Sequence, residues 1–175
     1  MNEPALNLIL SRKSVRQFSD LPINKNKLEL LVKAGMAAPS ARNLQPWAFV
    51  IVTERETMDF LGDALPYAKM LKQANAAIVV CGDLNKVSPI SKKDYWVQDC
   101  SAATQNILLA AEATGLGAVW TAAFPYEERM KPICECLNLP DSFLPLNIIP
   151  IGYPEGNDKP KDKWNPKNLF WEKFN

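Results

Sequence analysis

The apolar residues of this chain follow helical and strand-like periods, which together predict five helices and four strands. Leu28, Leu31 and Val32 recur at helical spacing after Asn24, a residue type that caps helix N-termini. This helix should end near Ala38, because a proline follows it and disfavours helical geometry in the preceding residue. Four more helices are expected over residues 5–10, from a capping box at Thr53 and Glu56 onward, over 92–114, and from Pro125 to about residue 137.

One glycine and one proline further define the predicted geometry of two of these helices. Gly115 is a natural C-terminal cap for the long helix over 92–114, because glycine readily adopts the left-handed conformation. Pro132 lies inside the last helix and predicts a kink or a shortened helix there.

Four short apolar runs predict strands, since they are rich in β-branched residues. They cover Trp47–Val52, which we expect to be buried, and residues 76–81, 117–122 and 146–151. The alternation of helices and strands by itself indicates a parallel α/β sheet. No strand is followed by G-x-G-x-x-G or by a P-loop, so a Rossmann crevice for a nicotinamide is not expected.

The chain changes character after residue 153. It is polar and proline-rich until it ends in Leu169, Phe170, Trp171 and Phe174. This apolar end needs a surface to cover it, so we expect the tail, about residues 154–175, to pack on another subunit. Folding back on its own chain would bury the same area and is the alternative. Neither an internal repeat nor an interdomain linker is present, which indicates a single domain over residues 1–175.

Composition and charge narrow the possible partners. The chain has 175 residues with 20 Lys+Arg against 19 Asp+Glu, a formal net charge of +1. This balance gives no reason to expect nucleic acid or a membrane surface as a partner. The N-terminal residues show no signal peptide and no membrane span, so we expect a cytoplasmic protein.

Histidine is absent, and the four cysteines lack the spacing of metal sites. Without histidine, Ser-His-Asp and Cys-His triads are excluded. Cys81, Cys100, Cys134 and Cys136 form no C-x-x-C pair, so we expect reduced, mostly buried thiols and no metal. The chemistry must therefore come from a cofactor, or from carboxylates, lysines or hydroxyls.

Three polar segments are candidates for ligand binding. Residues 11–16 (SRKSVR) place three cations and two hydroxyls together, a donor set suited to phosphate. If the segment is extended, Arg12, Ser14 and Arg16 share one side; if it is helical, Arg12 and Arg16 share a face. Residues 38–47 (APSARNLQPW) form a stiff amide-rich loop before a strand, and residues 159–163 (KPKDK) add positive charge. A solvated helix end, an ordinary loop and a solvated tail are the structural alternatives.

Taken in order, these motifs resemble the FMN-dependent nitroreductase family. The motifs are RKSVRQF at 12–18, APSARNLQPWAF at 38–49, DCSAATQNILLAA at 99–111, GLGAVW at 115–120 and GYP at 152–154, followed by lysines. Each motif is moderately specific, but the ordered set spans nearly the whole chain.

This resemblance implies an α+β fold, with a central mixed β-sheet of about four strands flanked by helices. It implies an obligate homodimer with two FMN sites at its interface. Arg12 would contact the FMN phosphate with Lys13 beside it, Ser14 would meet the pyrimidine edge of the ring, and Arg16 would lie near N1 and O2. A loop of the other subunit would approach the ring through Pro39, Ser40, Ala41 and Asn43, with Gln45 close by. The backbone around Thr121, Ala122 and Ala123 would line the N5 side, and Lys161 or Lys163 would hold the phosphate.

The implied activity is hydride transfer from NADH or NADPH, through flavin N5, to a nitroaromatic, quinone or flavin acceptor. No side-chain acid or base is needed for that step, so the lack of histidine is no obstacle, and ping-pong kinetics are expected. Two alternatives are reductive dehalogenation or flavin breakdown on the same scaffold, and a flavin-binding carrier or sensor without rapid turnover. The short segments over 53–75 and 84–93 leave little room for a lid, which suggests an open pocket.

Overall fold

The computed structural model describes residues 3–87 and 95–174, in which helices pack on both faces of a five-stranded sheet. The helices are α1 (Pro4–Ser11), α2 (Lys25–Met36), α3 (Arg55–Ala64), α4 (Tyr95–Ala113) and α5 (Glu127–Cys136). The strands are β1 (Trp47–Val52), β2 (Ala76–Asp83), β3 (Gly117–Ala118), β4 (Thr121–Ala122) and β5 (Phe143–Gly152). Among these helices, none combines the length and the apolarity needed to cross a membrane.

The sheet is antiparallel in every strand pairing of the described residues. Its order is β1-β2-β5-β3, and β4 also pairs with β5. The mixed sheet expected from the resemblance, and the parallel sheet suggested by alternation, are therefore both wrong for this part of the chain. The apolar run over 117–122 forms two short strands, so the sheet has five strands where about four were expected. A run of apolar residues indicates an extended segment, but strand direction depends on where the chain re-enters the sheet.

Strand β1 was expected to be buried, and this prediction is wrong for most of its length. It lies at one end of the strand order, and its four central residues are half-buried or exposed. Strand β2 lies between β1 and β5, and all eight of its residues are buried. Residues 47–52 and 76–81 are both continuous apolar runs in the sequence, and the two strands differ in their position in the sheet.

Helix α4 packs on one face of the sheet and supplies much of the core there. Its buried stripe includes Cys100, Ala103, Ile107 and Ala111, at spacings of three and four. The structure begins this helix at Tyr95, and residues 92–94 of the predicted helix lie outside the described residues. On the opposite face, α3 and α5 contribute buried residues such as Leu61 and Ile133 to a second core cluster.

Two of the predicted helix caps are confirmed, one at the start of α2 and one at the end of α4. The Asn24 side chain accepts a hydrogen bond from the backbone N–H of Asn26 at 2.9 Å, which confirms the N-cap of α2. Gly115 has φ +74°, and the N–H of Leu116 bonds the carbonyl of Ala111 at 2.8 Å, the arrangement of a glycine C-cap.

Two predicted helix starts are wrong. The N-cap of α3 is Glu54, and no side chain caps that helix, so the capping box at Thr53 and Glu56 does not form. Helix α5 begins at Glu127, two residues after Pro125, and continues through Pro132 to Cys136. In both cases the helix begins after a residue with extended backbone, Glu54 or Tyr126, whose side chain makes no capping hydrogen bond.

Candidate functional site

The basic segment near the N-terminus is extended, so of the two geometries considered from the sequence the extended one is observed. Helix α1 ends at Ser11, and Arg12 already has extended geometry with φ −56° and ψ 131°. The N–H of Val15 donates to the carbonyl of Ala118 at 3.1 Å, which fastens the segment alongside β3. Val15 is buried, and this anchors the polar residues on either side of it.

Two glycines let this segment lie directly on the sheet edge. A Cβ added at Gly117 would stand 2.6 Å from the Cβ and Cγ1 atoms of Val15. A Cβ at Gly152 would stand 2.7 Å from Cδ1 of Phe18. Real Cβ atoms do not approach that closely, so both glycines are required by the close contact of backbone and side chain.

A cavity of about 360 Å³, here called the basic cavity, brings the N-terminal segment and the tail together. Its lining contains six basic side chains, one hydroxyl and one carboxylate: Arg12, Lys13, Ser14, Arg16, Asp158, Lys159, Lys161 and Lys163. Lys161 and Lys163 both reach it. The net positive charge and the mixture of guanidinium, ammonium and hydroxyl donors suit a phosphate group.

One of these cations is already paired. The Lys13 ammonium lies 2.9 Å from Oε1 of Glu112 on α4, and both side chains are largely buried. Lys13 therefore lines the cavity while its charge is balanced by the protein. Within the described residues, no carboxylate forms an ion pair with Arg12 or Arg16, so their charges are available to a ligand.

A second cavity of about 420 Å³ adjoins the basic cavity and shares Arg16 with it. Its other lining residues are Pro66, Tyr67, Met70, Val119, Trp120, Thr121, Ala122 and Arg129. Thr121 and Ala122 thus line it, whereas Ala123 is buried and its N–H donates to the carbonyl of Leu146 at 3.0 Å. The two cavities place a strongly cationic compartment next to one with aromatic and aliphatic walls.

The amide-rich loop over residues 38–47 lines neither of these cavities in the single chain. Pro39, Ser40, Ala41, Asn43 and Gln45 lie before β1, and the N–H of Ala41 donates to the buried carboxylate of Asp99 at 2.9 Å. Hydrogen bonds within the loop add support, from the Gln45 N–H to Ser40 Oγ at 3.0 Å and from Gln45 Nε2 to Asn43 Oδ1 at 3.1 Å.

The backbone of this loop is strained. Arg42, Asn43 and Gln45 all have positive φ, at 53°, 56° and 49°. Asparagine tolerates this left-handed region, but arginine and glutamine adopt it at a cost. Strained residues persist where the surroundings hold them and are concentrated at functional sites. The bond to Asp99 is one such restraint.

Several residues of the site were not found from the sequence. Asp99 and Glu112 both lie in the long helix. Asp99 begins the motif over 99–111 and Glu112 follows it directly, so this motif was the sequence feature that could have pointed to them. Tyr67 and Arg129 come from segments that carry no motif, and only the fold brings them to the second cavity. Among the residues that the structure describes, no three potential metal ligands cluster together.

The cysteines are free thiols in two environments. Cys81 and Cys100 are fully buried, and desolvation raises the pKa of each from 9.0 to about 12. Nearby Cys134 adds to the rise in the pKa of Cys81, and nearby Asp99 adds to the rise for Cys100. Cys134 and Cys136 are half-buried, and burial raises their pKa values as well.

We expect a thiol reagent at about pH 8 to label Cys134 and Cys136 and to leave Cys81 and Cys100 unmodified until denaturant is added. Mass spectrometry of peptides from native and unfolded protein measures this. Because folding raises the pKa of the buried thiols from 9.0 to about 12, they bind their protons more tightly in the native state. Stability should therefore fall as the pH rises through that interval. Rapid native labelling of Cys81 would contradict this assignment.

The antiparallel α+β architecture and the paired cavities define the class of this protein. It belongs to the nitroreductase family, whose family model matches residues 9–65 and 58–153.

Individual relatives agree with this assignment over almost the whole chain. A candidate NADH dehydrogenase/NAD(P)H nitroreductase of Archaeoglobus fulgidus is 42% identical over 98% of this chain and 99% of that protein. The crystal structure of a candidate NADH dehydrogenase/NAD(P)H nitroreductase of Bacteroides thetaiotaomicron has a TM-score of 0.94 and 48% identity, covering 99% of this chain and 100% of that one. A candidate nitroreductase of Desulfovibrio desulfuricans, solved in complex with FMN, has a TM-score of 0.85 and 27% identity, and the match covers 100% of both chains.

Proposed function

We propose that this protein is an FMN-dependent oxidoreductase that passes a hydride from NADH or NADPH to a small oxidised acceptor such as a nitroaromatic, a quinone or a flavin. The observation that carries the proposal is the pair of adjoining cavities joined at Arg16. The names of the relatives above, which include NAD(P)H nitroreductases and a complex with FMN, support it.

The residues of the basic cavity fit the phosphate of FMN. Arg12 offers a guanidinium fork with no carboxylate partner among the described residues, and Ser14 offers a hydroxyl close by in the sequence. Lys161 and Lys163 come from the opposite end of the chain and close the cavity from the tail side. A phosphate would there meet charge-assisted bonds from several directions, which are stronger than neutral ones.

The second cavity fits the reacting part of the cofactor. When bound, FMN supplies two-electron chemistry, taking a hydride at N5 from the nicotinamide and passing the electrons to the acceptor. Arg16 lies where the two cavities meet and would stabilise the negative charge that the ring carries at N1 and O2 after reduction. Thr121 and Ala122 would border the N5 side, and no side-chain acid or base is required for hydride transfer.

The same proposal includes a homodimer in which residues 39–45 of one subunit complete the site of the other. In the single chain, α1 contains no buried residue, and Leu10 on it is 67% exposed. The tail leaves Trp171 and Phe174 79% and 85% exposed. Apolar surface of this kind requires a cover, and a second copy would supply it. Light scattering should give twice the mass of the chain, and a monomer holding full FMN would count against the shared site.

The experiment that tests the function begins with FMN titrated into purified protein and continues with anaerobic mixing against NADH and NADPH. We expect stoichiometric FMN binding and rapid bleaching of the flavin absorbance by at least one nicotinamide. Protein that neither binds FMN nor is bleached would refute the proposal, and binding without bleaching would favour a carrier or sensor. Turnover with nitroaromatics and quinones, compared with halogenated phenols, distinguishes the reductase from a dehalogenase.

A further inference from the structure

The second cavity carries an unusual charge for a compartment with apolar walls. Two arginines, Arg16 and Arg129, line it, and no acidic residue is among its lining residues. Tyr67, Met70 and Trp120 supply aromatic and thioether surface around these charges. Such a cavity favours a flat apolar ligand that also bears negative charge.

The guanidinium of Arg129 packs against an aromatic ring on one face and has no hydrogen bond at Nε among the described residues. It lies in the first turn of α5, and its guanidinium carbon is 3.9 Å from the centre of the Tyr126 ring. Its Nε atom is buried and has no hydrogen-bond partner among the described residues. Within the same residues it forms no ion pair, although Glu127 and Glu128 precede it directly. A buried guanidinium donor without a partner is costly unless an acceptor binds to it, and an anion is the strongest acceptor for a cation.

A second lining residue of this cavity, Tyr67, also has an unusual conformation. Tyr67 has φ +65°, a conformation that is a genuine outlier for a bulky side chain. Its side chain is 81% exposed, so burial of the ring does not explain the strain. Strained residues of this type cluster around ligands, and Tyr67 lines the same cavity as Arg129.

We propose that Arg129 is a specificity residue that recognises the carboxylate of an aromatic acceptor, with the aromatic body of that acceptor against Tyr67 and Trp120. This inference rests on the proposed function, because the acceptor must share the cavity with the hydride-transferring cofactor. In this proposal Arg16 contacts the cofactor ring, and Arg129, the other cation of the cavity, contacts the substrate. The predicted substrate class is therefore anionic oxidised aromatics, preferred over neutral ones of the same shape.

The test compares para-nitrobenzoate with para-nitrobenzamide, which have the same shape and differ by one charge. With holoenzyme and saturating nicotinamide, kcat/KM should favour the benzoate in the wild type. Arg129→Gln should reduce that preference about tenfold or more, because a charge-assisted contact is lost. Arg129→Lys should retain part of it. Lys131→Gln removes an exposed charge that lies two residues away and pairs loosely with Glu135 at 3.9 Å, so it should leave the preference unchanged.

Calorimetric titration of both compounds into the purified protein gives a readout that does not depend on turnover. An equal response of both compounds to Arg129→Gln would overturn the inference, since it would show that Arg129 serves the fold or the cofactor. A wild type without preference for the benzoate would overturn it as well. Failure of the proposed function is seen separately, as absent FMN binding or absent bleaching in the wild type. That result would overturn the inference as well, because an acceptor requires the hydride-transferring cofactor, whereas failure of the inference alone is seen in protein that binds FMN and is bleached.

Discussion

Replacing Arg12 with alanine is expected to raise the Kd for FMN roughly ten- to a hundredfold. Arg12 lines the basic cavity, and its guanidinium has no carboxylate partner among the described residues, so its charge is free to meet a phosphate. Losing one charge-assisted contact costs about 1.5–3 kcal/mol, which corresponds to this change in affinity. Fluorescence titration of FMN into the apoprotein measures it directly.

The matched control for Arg12 is Lys25→Ala. Lys25 is exposed at the start of α2 and pairs weakly with Glu29 at 3.8 Å, so its loss removes one positive charge that does not line the cavity. FMN affinity should be unchanged in this variant. Affinity for riboflavin, which lacks the phosphate, should respond little to Arg12→Ala. If Arg12→Ala bound FMN as tightly as the wild type, the guanidinium would have no role at the phosphate.

Replacing Gly117 with alanine is expected to destabilise the fold and to weaken FMN binding together. The added Cβ would stand 2.6 Å from atoms of Val15, which is 1% exposed and cannot move outward without disturbing its neighbours. Overpacking of this kind costs about 1–3 kcal/mol. Because Val15 separates Ser14 from Arg16, a shift of its backbone would also displace the donors of the basic cavity. Denaturant unfolding and FMN titration of the same preparation measure the two effects.

Gly62→Ala provides the comparison for this variant. Gly62 lies inside α3, and its added Cβ would stand 3.1 Å from Cγ of Lys72, a half-exposed side chain that pairs with Asp63 and needs to shift by only a few tenths of an ångström. Alanine favours a helix interior over glycine by about 1 kcal/mol, so Gly62→Ala should be neutral or stabilising. FMN affinity should not change. Unaltered stability of Gly117→Ala would mean that the segment over residues 12–18 can relax away from β3.

The local features of the chain were largely predictable because their causes are local. Asn24 caps α2 through its own side chain, and Gly115 ends α4 because glycine tolerates its positive φ. Strand β1 has the predicted bounds, since six consecutive apolar residues with β-branched and aromatic side chains favour an extended conformation. The capping box at Thr53 failed because α3 begins one residue later than the motif requires, with Glu54 at the N-cap and no capping hydrogen bond from a side chain.

The candidate site was predictable in its chemistry and less so in its geometry. The cluster of Arg12, Ser14 and Arg16 indicated a phosphate site from residue types alone, and the structure adds Lys161 and Lys163 to the same cavity. The partner of Lys13 was not foreseen, because Glu112 is 99 residues away in the sequence. Arg129 carried no signal either, because it meets Arg16 and Tyr67 at the second cavity only in the tertiary structure.

The sequence by itself determined where most helices and strands lie and that no histidine chemistry is available, and it indicated candidate residues for phosphate binding. These properties follow from side-chain type and spacing over a few residues. Only the tertiary structure decided strand direction, the exposure of β1 compared with β2, and the meeting of residues 12–16 with 158–163. Those outcomes depend on contacts between segments that are far apart in the chain, where the free energy of packing the whole sheet selects one arrangement among many that the local pattern allows.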